Sequence, residues 1–64
     1  MKSNKPMHWY AFQIQGWINE QVVKASSEEE AIQEAASMAA GEDNIVAFRK
    51  VSSFEAKQII RSWG

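Results

Sequence analysis

The sequence contains no cysteine, one proline, three glycines and one histidine. Without cysteine the chain can form neither a disulfide nor a thiolate metal site, and His8 alone cannot build a zinc site. The glycines stand apart from one another, so no phosphate-binding loop is expected. No apolar run approaches the roughly 18 residues of a membrane-spanning helix. The two lysines of MKSNKPMH have no apolar run behind them, so we expect no signal peptide and a cytoplasmic protein.

The length of the chain, 64 residues, predicts a single small domain over residues 8–64, preceded by a flexible arm at residues 1–7. A domain of this size buries only about 60% of its unfolded surface and usually needs disulfides, metals or association. Since cysteine is absent, association becomes the expected supplement. A hydrophobic content of 45% is too high for a disordered chain. Seven basic and eight acidic side chains nearly cancel, so no strong net field attracts nucleic acid.

Residues 9–25, WYAFQIQGWINEQVVKA, alternate in a way that predicts two β-strands joined as a hairpin. The better core face carries Tyr10, Phe12, Ile14, Gly16 and Ile18. The opposite face is also partly apolar, so it needs a cover or a partner. Its candidate contact residues are Trp9, Gln13, Gln15, Trp17, Val22 and Lys24. The sequence leaves three candidates for what covers this face. They are the C-terminal helix, a second copy or protein partner, and the stacked bases of a nucleic acid.

The turn of this hairpin has two candidate positions. A turn at residues 16–17 would place Phe12 opposite Gln21, whereas a turn at residues 19–20 would place Ile18 opposite Gln21 and Trp17 opposite Val22. We predict the second turn because it gathers the largest apolar set on one face. Asn19 also tolerates the positive φ that a tight hairpin turn requires.

The segment ASSEEEAIQEAASMAAG predicts a helix over residues 27–40. Ser27-x-x-Glu30 forms a capping box, with Ser26-x-x-Glu29 as a shifted alternative. Three glutamates in the first turn suit the helix dipole, and Gly41 is the expected residue after the helix end. The next segment, NIVAFRKV at residues 44–51, predicts a third strand. Its two faces are equally mixed, so the sequence does not decide which face belongs to the core.

The C-terminal segment SSFEAKQIIRSWG predicts a second, short amphipathic helix. Ser52-x-x-Glu55 is another capping box. Ala56, Ile59, Ile60 and Trp63 recur at helical spacing and form one stripe. A helix this short is marginal alone in water, so we expect it to dock through Ile59, Ile60 and Trp63.

These elements predict an α+β fold in the order β-β-α-β-α. A right-handed crossover would place the third strand beside the first, giving a three-stranded antiparallel sheet of order 2-1-3 with the first helix packed on the Phe12 face. The hairpin followed by A-S-S-E-E-E-A-I-x-x-A resembles the layout of small β-β-α-β proteins over about residues 10–51. These include phage-encoded accessory proteins such as certain anti-CRISPR inhibitors, and ribosome-associated proteins. The resemblance implies no role for any single residue.

No group of residues predicts catalysis, a cofactor or a metal. The serines lie at helix starts, where capping explains them, and the three consecutive glutamates lack the ligand spacing of a calcium loop. A basic group remains, with Lys24 and the candidate contacts Arg49, Lys50, Lys57 and Arg61. We therefore expect a non-enzymatic interaction module, a homodimer or the partner of another protein, with no membrane and no small-molecule substrate. The alternative is a phage-type accessory protein that modulates nucleic-acid machinery or binds nucleic acid.

Overall fold

The computed structural model describes residues 6–63 and has the predicted β-β-α-β-α order. The elements are β1 (His8–Ile14), β2 (Gln21–Ala25), α1 (Glu28–Ala39), a 3-10 turn (Glu42–Asn44), β3 (Ile45–Val51) and α2 (Ser53–Ser62). All strand pairs are antiparallel, and the sheet order is β2-β1-β3. The predicted fold class and strand order are confirmed. Most of the predicted arm at residues 1–7 lies outside the described residues.

One face of the sheet forms the main core with α1. Tyr10, Phe12 and Ile14 of β1 are buried there against α1. The side chains that α1 contributes are small, and they are Ala31, Ala35 and Ala39. Alanines let the helix lie close to the strands, so the aromatic rings below supply most of the buried apolar area. This confirms the expected packing of the first helix on the Phe12 face.

The hairpin between β1 and β2 has a different register from the predicted one. Phe12 lies opposite Gln21 and Tyr10 opposite Val23, which is the register of a turn at residues 16–17, so the predicted turn at residues 19–20 is wrong. The Trp17 N–H donates to the Ile14 carbonyl at 2.9 Å, and Gly16 takes the positive φ of 88° that this turn needs. Residues 15–20 then form a longer loop.

The two registers differ by an even number of residues, so most faces are unchanged. Val23 still packs with the Tyr10 and Phe12 clusters. Ile18 is the exception, because the longer loop takes it out of the strand. It is 94% exposed, and its predicted place in the core is wrong.

A β-bulge explains why apolar residues fall on both faces of β3. The β1–β3 register shifts between Gln13 and Ile14, and a bulge changes which side chains face which layer. Ile45 and Phe48 therefore both pack toward α1, whereas Val51 packs on the opposite face of the sheet. Both faces of β3 contribute to the core.

The helix starts follow the predicted capping residues, but the end of α1 does not. The hydroxyl of Ser27 accepts from the Glu30 N–H, and the Glu30 carboxylate accepts from Ser26 rather than closing the box on Ser27. The Ser52–Glu55 capping box is complete. At the end of α1, Ala40 takes the left-handed conformation, φ 61°, where Gly41 was expected to do so.

Candidate functional site

The second face of the sheet is covered by α2. Ala11, Val51 and Ala56 are buried in this layer. Half-buried side chains of Trp9, Val22 and Ile59 pack against them. Of the three covers considered from the sequence, the C-terminal helix occupies this face, and Ile59 docks as expected. Trp9 is thus a packing residue. The ammonium of Lys24 lies 5.5 Å from its ring centroid, within the range of a cation–π contact.

The six candidate contact residues of the hairpin do not form one surface. Trp9, Val22 and Lys24 belong to the α2 layer. Gln13 lies on β1 and donates from its side chain to the Trp17 carbonyl at 2.9 Å. Gln15 and Trp17 are in the loop at residues 15–20, outside the strands. The expectation that Trp9 and Trp17 share a face, with Trp17 opposite Val22, is wrong because Val22 lies opposite Ala11.

The last turn of α2 meets this same loop. The indole Nε1 of Trp63 donates to the Glu20 carbonyl at 2.7 Å, which ties the end of the helix to the hairpin. Trp63 and Ile60, predicted to dock, remain 40% and 38% exposed. The end of the domain at this loop therefore carries four exposed apolar side chains. We call them the loop-end surface, and they are Trp17, Ile18, Ile60 and Trp63.

Within the loop-end surface, Ile18 is exposed to a greater degree than any other large apolar side chain that the structure describes. Ile18 is 94% exposed and Trp17 is 45% exposed. Grouped apolar side chains at a protein surface mark interaction sites more often than isolated ones do, and tryptophan is enriched among residues that carry binding energy. Sequence reasoning assigned Ile18 to the core. The signal that could have corrected it is Gly16, whose tolerance of positive φ favours the earlier turn.

The candidate basic contacts are dispersed in the fold. Arg49 is held between two carboxylates, with its Nε 3.3 Å from Glu20 and its Nη1 3.4 Å from Glu55. The side-chain hydrogen bond to Glu20 is the main cause that raises the pKa of Arg49 above its ordinary value. Lys57 and Arg61 are exposed on α2. Lys50 lies opposite Tyr10, on the α1 side of the sheet, so the four do not gather into one phosphate-binding patch.

The charges are nevertheless segregated along the chain. Every charged residue between Ala25 and Phe48 is acidic, and these residues are Glu28, Glu29, Glu30, Glu34, Glu42 and Asp43. The described basic side chains all lie on β2, β3 or α2. The near-zero net charge therefore combines an acidic α1 and following turn with cations that lie on β2, β3 and α2.

An open groove of about 370 Å³ runs between β2 and α1. Met7, Lys24, Gln33 and Glu34 are among its lining residues. Within residues 6–63, no three His, Asp or Glu side chains are placed to hold a metal ion together. None of the helices in that part of the chain has the length and apolar character needed to cross a membrane.

Comparisons with protein-family models, with curated proteins and with solved structures found no match to this chain.

Proposed function

We propose that the protein is a non-enzymatic interaction module that self-associates. We propose further that it binds a protein partner, and that this partner binds at the loop-end surface. The observation that carries this proposal is the group of exposed apolar side chains at one end of the domain, above all Ile18 at 94% exposure. An isoleucine that is so exposed contributes no hydrophobic stabilisation to the isolated domain. Burial against a partner would remove its apolar surface from water, which is favourable.

The geometry of the loop-end surface supports this role. Trp63 is held by its hydrogen bond to Glu20, and Trp17 is held by the backbone bond from its N–H to Ile14 and by the bond that its carbonyl accepts from Gln13. The indole of Trp63 and the backbone that carries Trp17 are thus restrained, and restrained groups lose less conformational freedom on binding, which favours affinity. Two tryptophans at one surface also match the composition of protein interfaces.

The nucleic-acid alternative has less support. It needs exposed rings on one open sheet face for base stacking, but Trp9 packs beneath α2 and beside Lys24. The basic side chains that would contact phosphates are dispersed, and Arg49 already bonds Glu20 and Glu55. Protein binding at the loop end uses features that are grouped.

Site-specific cross-linking tests the proposal. A photoreactive phenylalanine analogue at position 18 should capture a discrete protein from a lysate of the native host, to be identified by mass spectrometry. The matched control carries the same analogue at position 38, because Met38 is an apolar side chain of α1 that is 43% exposed. The control should not capture the same protein.

Affinity measurements with the purified partner complete the test. Ile18→Asp should weaken binding at least about tenfold, the loss expected when a side chain that contributes binding energy is replaced. Met38→Asp should leave the affinity unchanged. Equal capture from both positions, or equal affinity of both variants, would contradict the role of the loop-end surface.

A further inference from the structure

The outer strand β3 leaves one edge of the sheet uncovered within the described residues. Val46 is 64% exposed, and Ala47, Arg49 and Lys50 are exposed as well. In an antiparallel sheet, alternate residues of an outer strand direct their N–H and C=O groups away from the neighbouring strand. Beyond the ladder to β1, no backbone hydrogen bond among the described residues involves residues 46–51. This edge has free hydrogen-bonding capacity.

The helices do not obstruct this edge. α1 packs more extensively on β2 than on β3, and α2 packs mainly on β1 and β2. The opposite edge of the sheet differs, since only Lys24 of β2 is exposed. A further strand could therefore join at β3 without displacing a helix, and β3 is the longer of the two outer strands.

The charges along the β3 segment are polarised. Glu42 and Asp43 lie in the turn just before the strand, and Lys50 lies near its end. These three side chains are without a hydrogen bond or ion pair inside the described part of the chain. Between them the strand is apolar from Ile45 to Phe48. The first half of β3 has neither charge nor proline, and its unpaired backbone groups are a template for pairing with another strand.

We propose that β3 pairs antiparallel with β3 of a second copy of this chain, forming one continuous sheet across a two-fold axis. The antiparallel direction places the acidic end of each strand beside the basic end of the other, so Glu42 and Asp43 approach Lys50 of the second copy. A parallel arrangement would bring like charges together, which is unfavourable. A two-fold interface uses the same patch on both subunits, and this segment is complementary to itself.

This inference rests on the self-association in the proposed function and names the surface that produces it. The loop-end surface and the paired edge share no residue, because Trp17, Ile18, Ile60 and Trp63 all lie outside β3. A dimer would present two loop-end surfaces. Dimerisation also supplies the association that a small domain without disulfides commonly uses.

A charge-exchange experiment tests the β3 pairing. Sedimentation equilibrium should find wild type as a dimer. Lys50→Glu makes both ends of the segment acidic, and the double variant Glu42→Lys/Asp43→Lys makes both ends basic. Each should weaken dimerisation by roughly tenfold or more, because every symmetric pair changes from attraction to repulsion. A one-to-one mixture of the two variants should restore a dimer, since their charges are complementary.

Lys57→Glu is the matched control, because Lys57 is an exposed lysine that lies on α2 and not on β3. It should leave the dimer intact. Circular dichroism of each variant checks that the fold is retained. If wild type is a dimer and both β3 variants leave it unchanged, the β3 pairing is overturned but the proposed self-association stands. The same conclusion follows if the mixture of the two variants does not associate. A wild type that stays monomeric at high micromolar concentration overturns both, whereas partner binding at the loop end is decided separately by the Ile18 variants.

Discussion

Trp63 and Glu20 are joined by a hydrogen bond from the indole Nε1 to the backbone carbonyl oxygen, 2.7 Å long, across 43 positions of sequence. This bond fixes the C-terminal turn of α2 against the hairpin loop. It satisfies a backbone acceptor of that loop. It also holds the Trp63 ring at the loop-end surface, where the ring stays partly exposed.

Replacing Trp63 by phenylalanine should destabilise the domain by about 1 kcal/mol, the usual net worth of a hydrogen bond. An aromatic ring is retained, and the loss beyond that of a matched Trp→Phe change elsewhere reports on the bond to Glu20. Urea unfolding followed by circular dichroism measures it. Trp17→Phe is the control, because the indole nitrogen of Trp17 donates no hydrogen bond within the described residues. An unchanged midpoint for Trp63→Phe would show that the bond does not hold α2 in place.

Trp9 and Trp17 should respond differently to truncation. Trp9→Ala removes a half-buried ring that packs with Ala11, Val51 and Ala56, and should cost about 2–3 kcal/mol. Trp17→Ala changes an exposed loop side chain and should stay within about 0.5 kcal/mol. Thermal or urea unfolding distinguishes them. If both changes cost the same, the assignment of Trp9 to the core and Trp17 to the surface fails.

Ala40→Gly should stabilise the protein. A residue with a Cβ in the left-handed conformation costs roughly 1 kcal/mol, and Ala40 has φ 61°. Glycine adopts this conformation freely, so we expect a gain of up to about 1 kcal/mol and a higher Tm. Ala36→Gly, one turn earlier in α1, should instead lose about 0.5–1 kcal/mol. Equal signs for the two changes would contradict the assigned helix end.

Ala35→Leu should destabilise the domain through overpacking. Ala35 is fully buried beside Phe12 and Ile14, and extra methylene groups in a filled core cost about 1–3 kcal/mol. The control is Gln33→Leu, on the exposed part of α1, which should stay within about 0.5 kcal/mol. Differential scanning calorimetry measures both. A stabilising Ala35→Leu would mean that α1 does not lie close to the sheet.

The predictions that succeeded depend on short-range signals. Ser52 and Glu55 cap α2 because both lie within one turn, and a cap is a local contact. The alternation of Tyr10, Phe12 and Ile14 assigned the core face of β1, since side chains on a strand alternate whatever the partner strand is. Even the wrong register left Val23 on the correct face, because an even shift preserves the alternation.

The failures concern residues whose places depend on distant parts of the chain. The end of β1 is set partly by the 3-10 turn before β3, because the Gln15 N–H donates to the Asn44 carbonyl. No pattern within residues 9–25 contains that bond. Trp63 was expected to be covered, but it is 40% exposed and donates its indole N–H to a carbonyl of the hairpin loop. The loop-end surface combines Trp17, which was predicted as a contact residue, with Ile18, Ile60 and Trp63, which were predicted to be covered.

The sequence by itself determined which segments are helices and strands, where the helices begin, and that the sheet has a second apolar face requiring a cover. Propensity, capping and alternation are properties of neighbouring residues and can be seen without the fold. Only the tertiary structure decided that α2 is the cover, that Trp9 and Trp17 separate, and that β3 keeps a free edge with polarised charge. Those outcomes depend on strand register and helix placement, which are decided by contacts between residues far apart in the chain.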